Sequence, residues 1–204
     1  MRKIGFLVSM GLIWALPWLA CAEETSISLP NGKILPTRKI YSSPNRTDHL
    51  IEAIAVKDVK KIEDLIAEGV NINSAGSSGE TPLMEALGDD KAEILDLLLS
   101  HGIDVNLTAT IGELEMAPLE LAISSGHEAS VKKLLAHGAK IEREDMLGET
   151  VLFNAVRSGN AGITKLLIDH GADINHKNRI GDTPLSLAEK SGNHRIVEIL
   201  KKNR

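Results

Sequence analysis

An all-α repeat solenoid is the fold class that this 204-residue sequence predicts, on two observations. Gly69, Gly102, Gly138 and Gly171 recur at intervals of 33, 36 and 33 residues, a period that marks stacked supersecondary units rather than one mixed core. The residues upstream of each glycine also repeat. Leucine returns at Leu50, Leu83, Leu119 and Leu152, alanine at Ala53, Ala86, Ala122 and Ala155, and leucine again at Leu65, Leu98, Leu134 and Leu167. A last unit keeps the frame with Leu185, Ala188 and Leu200. About five helix-turn-helix units with hairpin loops are implied, over 48–79, 80–116, 117–148, 149–181 and 182–204.

Before the repeats lie two other segments. Met1-Arg2-Lys3, an uncharged stretch from Ile4 to Ala22 and the small residues Ala20-Cys21-Ala22 have the three-part pattern of a secretory signal peptide, cleaved before Glu23. A membrane-spanning anchor is the competing reading, since the stretch is near the lower length limit for a span; Pro17 and the acidic start at Glu23-Glu24 argue against it. A third reading is a lipoprotein carried on Cys21, against which Trp18 stands where such signals usually carry leucine. Residues 23–47 show no repeat register. There Ser26–Leu29 and Lys33–Leu35 flank Asn31-Gly32, a hairpin signal, and Pro36, Ser42, Ser43 and Pro44 read as linker. This extension is either a cap on the first unit or a spacer.

Each unit has the same grammar. Thr81, Thr150 and Thr183 suit helix N-caps, and Pro82 and Pro184 follow where a missing amide proton does no harm. Leu and Ala three apart give the first helix one apolar face. Gly126, Gly159 and Gly192 mark the turn to a second helix, which carries runs such as Ile94-Leu95 with Leu97-Leu98-Leu99. The repeat glycine ends that helix, and Ile72, Val105, Ile141 or Ile174 then leads the chain into a loop. Neither helix can bury its apolar face alone, so the units must stack.

Glu80-Thr81-Pro82-Leu83, Gly181-Asp182-Thr183-Pro184-Leu185 and His170-Gly171-Ala172-Asp173-Ile174-Asn175 resemble the ankyrin repeat, and the resemblance runs from about Asp48 to Arg204. It implies a binding scaffold and names no partner. The sequence departs from that pattern where the family carries histidine after leucine, with Ile51, Met84, Glu120, Phe153 and Ser186 instead. Val151 also replaces the proline of the fourth unit.

Charge and composition narrow the function. Lys and Arg number 23 against 28 Asp and Glu, a net charge of −5. Losing Arg2 and Lys3 with the leader would take this to −7, a balance that disfavours nucleic acid and anionic membranes. Cleavage would also remove Cys21, the single cysteine, leaving a chain without disulfides, which is ordinary for a periplasmic protein.

Catalytic and metal readings find little support. His101, His137 and His170 stand at helix ends where an imidazole can bond the last carbonyls. One repeat apart, they would be about 10 Å from one another, too far to share an ion. Ser124-Ser125-Gly126-His127-Glu128 reads as inter-helix turn chemistry rather than a triad. No catalytic residue, cofactor or metal is expected.

Two places suit a partner protein. The residue two after each core leucine faces the side that the first helices and loop tips share: Glu52, Glu85, Leu121, Asn154 and Leu187, with Arg157 and Lys190 a turn further on. These predict a groove acidic at its N-terminal end, apolar in the middle and basic at its C-terminal end. Fifteen residues rather than 12 separate Gly102 from the next threonine position, and the insertion within Asn106–Met116 carries Ile111, Leu114 and Met116. Insertions in repeat arrays map to loops, often on the binding face. A loop folded on its own neighbours is the alternative.

The function expected is therefore a non-catalytic protein-binding module of the cell envelope, monomeric when free. It would be a toxin-neutralising immunity protein or the escort of a periplasmic enzyme. A membrane- or lipid-anchored structural scaffold is the alternative, and a hydrolase a distant third.

Overall fold

The computed structural model describes residues 45–88, 91–111 and 114–203, together with the backbone of two short strands near the N-terminus. Those strands, β1 (Ile27–Ser28) and β2 (Ile34–Leu35), pair antiparallel with Ile27 opposite Leu35, the hairpin that Asn31-Gly32 predicts. The leader, the Asn31-Gly32 turn and the linker residues up to Pro44 lie outside the described residues.

From Arg46 the chain forms five helix pairs: α1 (Arg46–Ala55) and α2 (Val59–Ala67), α3 (Pro82–Ala86) and α4 (Ala92–Ser100), α5 (Pro118–Ser124) and α6 (Glu128–Ala136), α7 (Val151–Arg157) and α8 (Ala161–Asp169), α9 (Pro184–Lys190) and α10 (His194–Lys202). The first helices α1, α3, α5, α7 and α9 stack side by side in one row, and α4, α6, α8 and α10 in a second. Alanine makes the close row possible: Ala53, Ala122, Ala155 and Ala188 are fully enclosed.

Local chemistry explains the helix ends. Asn45 and Asp48 cap α1 reciprocally: the Asn45 side chain accepts from the Thr47 amide and the Asp48 carboxylate from the Asn45 amide. Thr81 Oγ1 accepts from the Met84 amide at 3.3 Å and Thr183 Oγ1 from the Ser186 amide at 3.2 Å. Thr150 differs. Its hydroxyl makes no capping bond, and the Phe153 amide bonds to its carbonyl instead. Positions without the family histidine have found other uses. Phe153 and Met84 fill the core, Ser186 Oγ accepts from the Thr183 amide, and the Glu120 carboxylate accepts from the Ala117 amide at 2.9 Å.

Left-handed backbone separates the two helices of a unit, at Gly126, Gly159 and Gly192, with Lys57 (φ 59°) in the same place in the first unit. His101, His137 and His170 follow the second helices, each Nδ1 within 2.8–2.9 Å of the carbonyl four residues back, which requires the proton on Nδ1. That is the helix-end role expected for them.

One apolar core runs through the first four units, from Leu50 to Ala172. A smaller cluster of Val156, Ala188, Ile196 and Leu200 joins the fifth. Leu200 is 2 % exposed and Leu134 0 %, so the terminal unit closes its leucine from water almost as fully as a central one. Among the described residues no helix is long and apolar enough to cross a membrane.

Candidate functional site

Four loops connect one unit to the next, and three share one design. In the fingers 76–80, 145–149 and 178–182, the first amide donates to the last carbonyl at 2.8–3.0 Å. The fourth residue's amide donates back to the first carbonyl at 2.9–3.1 Å. That fourth residue is Gly79, Gly148 or Gly181, with φ of 88°, 69° and 85°. Asp145 and Asn178 reinforce their turns, each carboxyl or amide oxygen accepting from the amides two and four residues on.

The second finger is the lengthened one. It forms a β-hairpin, β3 (Ala109–Ile111) with β4 (Leu114–Met116), paired Ala109–Met116, Thr110–Glu115 and Ile111–Leu114. Its base is fastened on both sides. Ala109 is 4 % exposed, and Thr108 Oγ1 donates to Glu115 at 2.6 Å. The Thr110 carbonyl passes so near Gly79 that a Cβ there would lie 2.8 Å from it. Arg143 of the next finger reaches Glu120 at 2.9 Å and Glu115 at 3.6 Å. The base of the hairpin thus rests on its neighbours. The Ile111 and Leu114 side chains lie outside the described residues, and Met116 is half-buried at the base.

Along the face between first helices and fingers, Glu85, Leu121, Asn154 and Leu187 are half-buried and Arg157 is exposed. The predicted charge gradient needs correction. Lys91 pairs with Glu85, so that acid is neutralised within its own unit, while Glu52 stays exposed. Arg157 Nη2 meets Glu149 at 2.5 Å, and Lys190 meets Asp182 at 2.6 Å. Glu149 is itself 5 % exposed and also accepts from Asn178 Nδ2 at 3.1 Å, so Arg157 compensates a buried carboxylate. The Lys190 ammonium, hydrogen-bonded to Asp182, holds that carboxyl below the usual carboxylate range. The sequence places like charges by position, but Glu85, Arg157 and Lys190 are each spent on a partner six or eight residues away. From Glu85 onward the groove is lined by closed ion pairs with Leu121, Asn154 and Leu187 between them.

The Ser124–Glu128 segment is turn chemistry, as its sequence suggests. Ser124 Oγ donates to the Leu121 carbonyl at 2.9 Å, and His127 Nδ1 lies 3.1 Å from the Leu87 carbonyl of the preceding unit. Among the described residues no three His, Cys, Asp or Glu side chains gather as metal ligands.

Sequence reasoning missed three exposed residues. Met146 (77 % exposed), Leu147 (56 %) and Ile180 (81 %) stand on the third and fourth fingers. The available signal was an apolar residue directly before the finger glycine, in Leu147-Gly148 and Ile180-Gly181, the same arrangement as Ile111 before Gly112.

Paired helices stacked in two rows, with fingers along one side, define an α-helical repeat scaffold. The sequence model of ankyrin repeats (3 copies) matches residues 50–145 and 143–204, and the chain belongs to the ankyrin repeat family. It is 33% identical over 103 residues to Zygote-specific protein 3 of Chlamydomonas reinhardtii, covering 50% of this chain and 27% of that one. It is 37% identical over 84 residues to Putative ankyrin repeat protein YahD of Escherichia coli (strain K12), covering 38% of this chain and 40% of that one. The alignments thus span well under half the length of these relatives. Ankyrin repeats mediate protein–protein interaction, and the family is generally non-catalytic.

Proposed function

We propose that this chain is an exported, non-catalytic binding protein of the cell envelope that holds a partner protein in the periplasm. It would act by occlusion or scaffolding, as an immunity protein against a toxic enzyme or as the escort of a resident one. The observation carrying the binding role is the face between first helices and fingers. Its ionic groups are internally paired, and its loop tips leave large apolar side chains in water. A fold that spends its charges on itself and still exposes Met146, Leu147 and Ile180 favours an apolar contact. Export is supported by the pattern of residues 1–22.

Two measurements test this reading. Intact mass of the protein from an envelope fraction should give a chain beginning at Glu23, without Trp14 and Trp18 and with Tyr41 as its main chromophore. A lipidated Cys21 or a retained leader would favour the anchored scaffold. Affinity capture from an envelope extract should return one partner protein in stoichiometric amount, and replacing both Ile111 and Leu114 by Ser should weaken that capture if the hairpin tip takes part. Recovery of nothing specific by the native chain would defeat the binding role.

A further inference from the structure

We infer that the third and fourth fingers together form the docking point for the partner, and that they take a peptide segment bearing apolar side chains beside a carboxylate. This rests on the protein-binding reading above and specifies its contact. Four large apolar side chains are strongly exposed among the described residues, and three of them, Met146, Leu147 and Ile180, lie on these two fingers. The fingers are joined, since the Arg179 amide donates to the Leu147 carbonyl at 2.9 Å. The Arg179 stem crosses that seam over Gly148, where a Cβ would come 3.1 Å from its Cγ and 3.3 Å from its backbone nitrogen. The glycine therefore lets the two tips close into one surface. Each turn is held by side-chain bonds from Asp145 or Asn178, so the apolar residues sit on fixed backbone and lose little freedom on binding.

Charge then selects the occupant. The acids around the tips are engaged: Asp145 with the Leu147 and Glu149 amides, Glu149 with Arg157 and Asn178, and Asp182 with Lys190. Glu144 is the exception: it lies 3.6 Å from His176 and beside the Gly148 seam that the Arg179 stem crosses. A partner carboxylate would therefore be drawn to the outer side, where Lys177 and Arg179 are exposed. Exposed Lys177 and Arg179 form no ion pair among the described residues. A carboxylate on the partner would find those two cations beside the apolar tips, and a basic segment would be refused. An anionic membrane would meet the same cations but also the net charge of −5 on the whole chain, which opposes it.

Random dodecapeptides displayed on phage and selected on the full chain provide the probe, with affinities of synthesised winners measured by fluorescence anisotropy. Enriched peptides should carry two apolar residues close to Asp or Glu. Replacing Leu147 and Ile180 together by Ser should weaken them about 30-fold, and Arg179→Glu about tenfold, with melting temperatures unchanged. Val56→Ser, an exposed apolar residue at the helix turn of the first unit, should alter affinity by less than about twofold. Several results would overturn the inference: no enrichment, winners without acidic residues, or affinity indifferent to the double variant. So would self-association, or sedimentation with phosphatidylglycerol vesicles, that the double variant abolishes. An envelope partner retained by the double variant but lost with Leu121→Ser would overturn this docking point and leave the binding role standing.

Discussion

The interior of the stack and its fingers obey different rules. Inside, five units present leucine, alanine and leucine at identical places, and those side chains are closed from water nearly everywhere. Outside, three fingers repeat one glycine-closed turn, whereas the second becomes a β-hairpin with three extra residues. The row of first helices continues across the insertion, although α3 packs on α5 less extensively than the other first helices pack on theirs. Packed layers tolerate no change of volume, while a loop can lengthen at little entropic cost.

The largest expected break is in the interior. Leu98→Ala or Leu134→Ala should cost about 2–5 kcal/mol by denaturant titration, because each leaves a cavity between units that cannot collapse from both sides. Next comes the seam between first finger and hairpin. Gly69→Ala, with φ 79° and open space around the site, should lose only the conformational term of about 1–2 kcal/mol. Gly79→Ala adds a contact with the Thr110 carbonyl at 2.8 Å and should cost measurably more. Equal losses would mean that the hairpin moves aside freely.

Leu200→Ala should follow, at about 1–2 kcal/mol. Its burial matches that of the central leucines, so the smaller loss would come from a terminal unit relaxing around the cavity. Hydrogen exchange should quicken in α9 and α10 and stay unchanged in α3 to α6; a uniform increase would mean the array unfolds as one piece. Smaller again is the cap. Thr183→Ala should cost about 1 kcal/mol, while Thr150→Ala lacks a capping bond to lose and should cost less.

The smallest effect is at acid pH. With its carboxyl held low by Lys190, Asp182 contributes stability present above its ordinary value of 3.8 and lost as pH falls through the depressed folded value. Lys190→Met should bring the Asp182 titration, followed by NMR, back up toward that ordinary value. An unmoved midpoint would show that Ser186, the other side chain hydrogen-bonded to Asp182, holds it down alone.

Much of the fold was legible because its determinants are local and periodic. Gly69, Gly102, Gly138 and Gly171 adopt the left-handed backbone that their helix ends require, and the 15-residue spacing after Gly102 located the hairpin. The site was less legible. Arg157 and Lys190 read as a basic groove end, yet Glu149 and Asp182, eight residues earlier, take their charge. Nothing in the repeat spacing marks Met146, Leu147 and Ile180, whose tips are joined by the Arg179–Leu147 backbone bond between successive fingers.

From sequence alone came the unit count, the helix order, the caps at Thr81 and Thr183 and the place of the insertion. These follow from spacing, residue shape and backbone preference within one unit or its immediate neighbour. Only the tertiary structure decided which charges are free and which apolar residues stay wet. A side chain's electrostatic and solvent environment is set by whatever the fold brings against it: for the groove charges an ion-pair partner six or eight residues away, and for the third finger's tip the finger that follows.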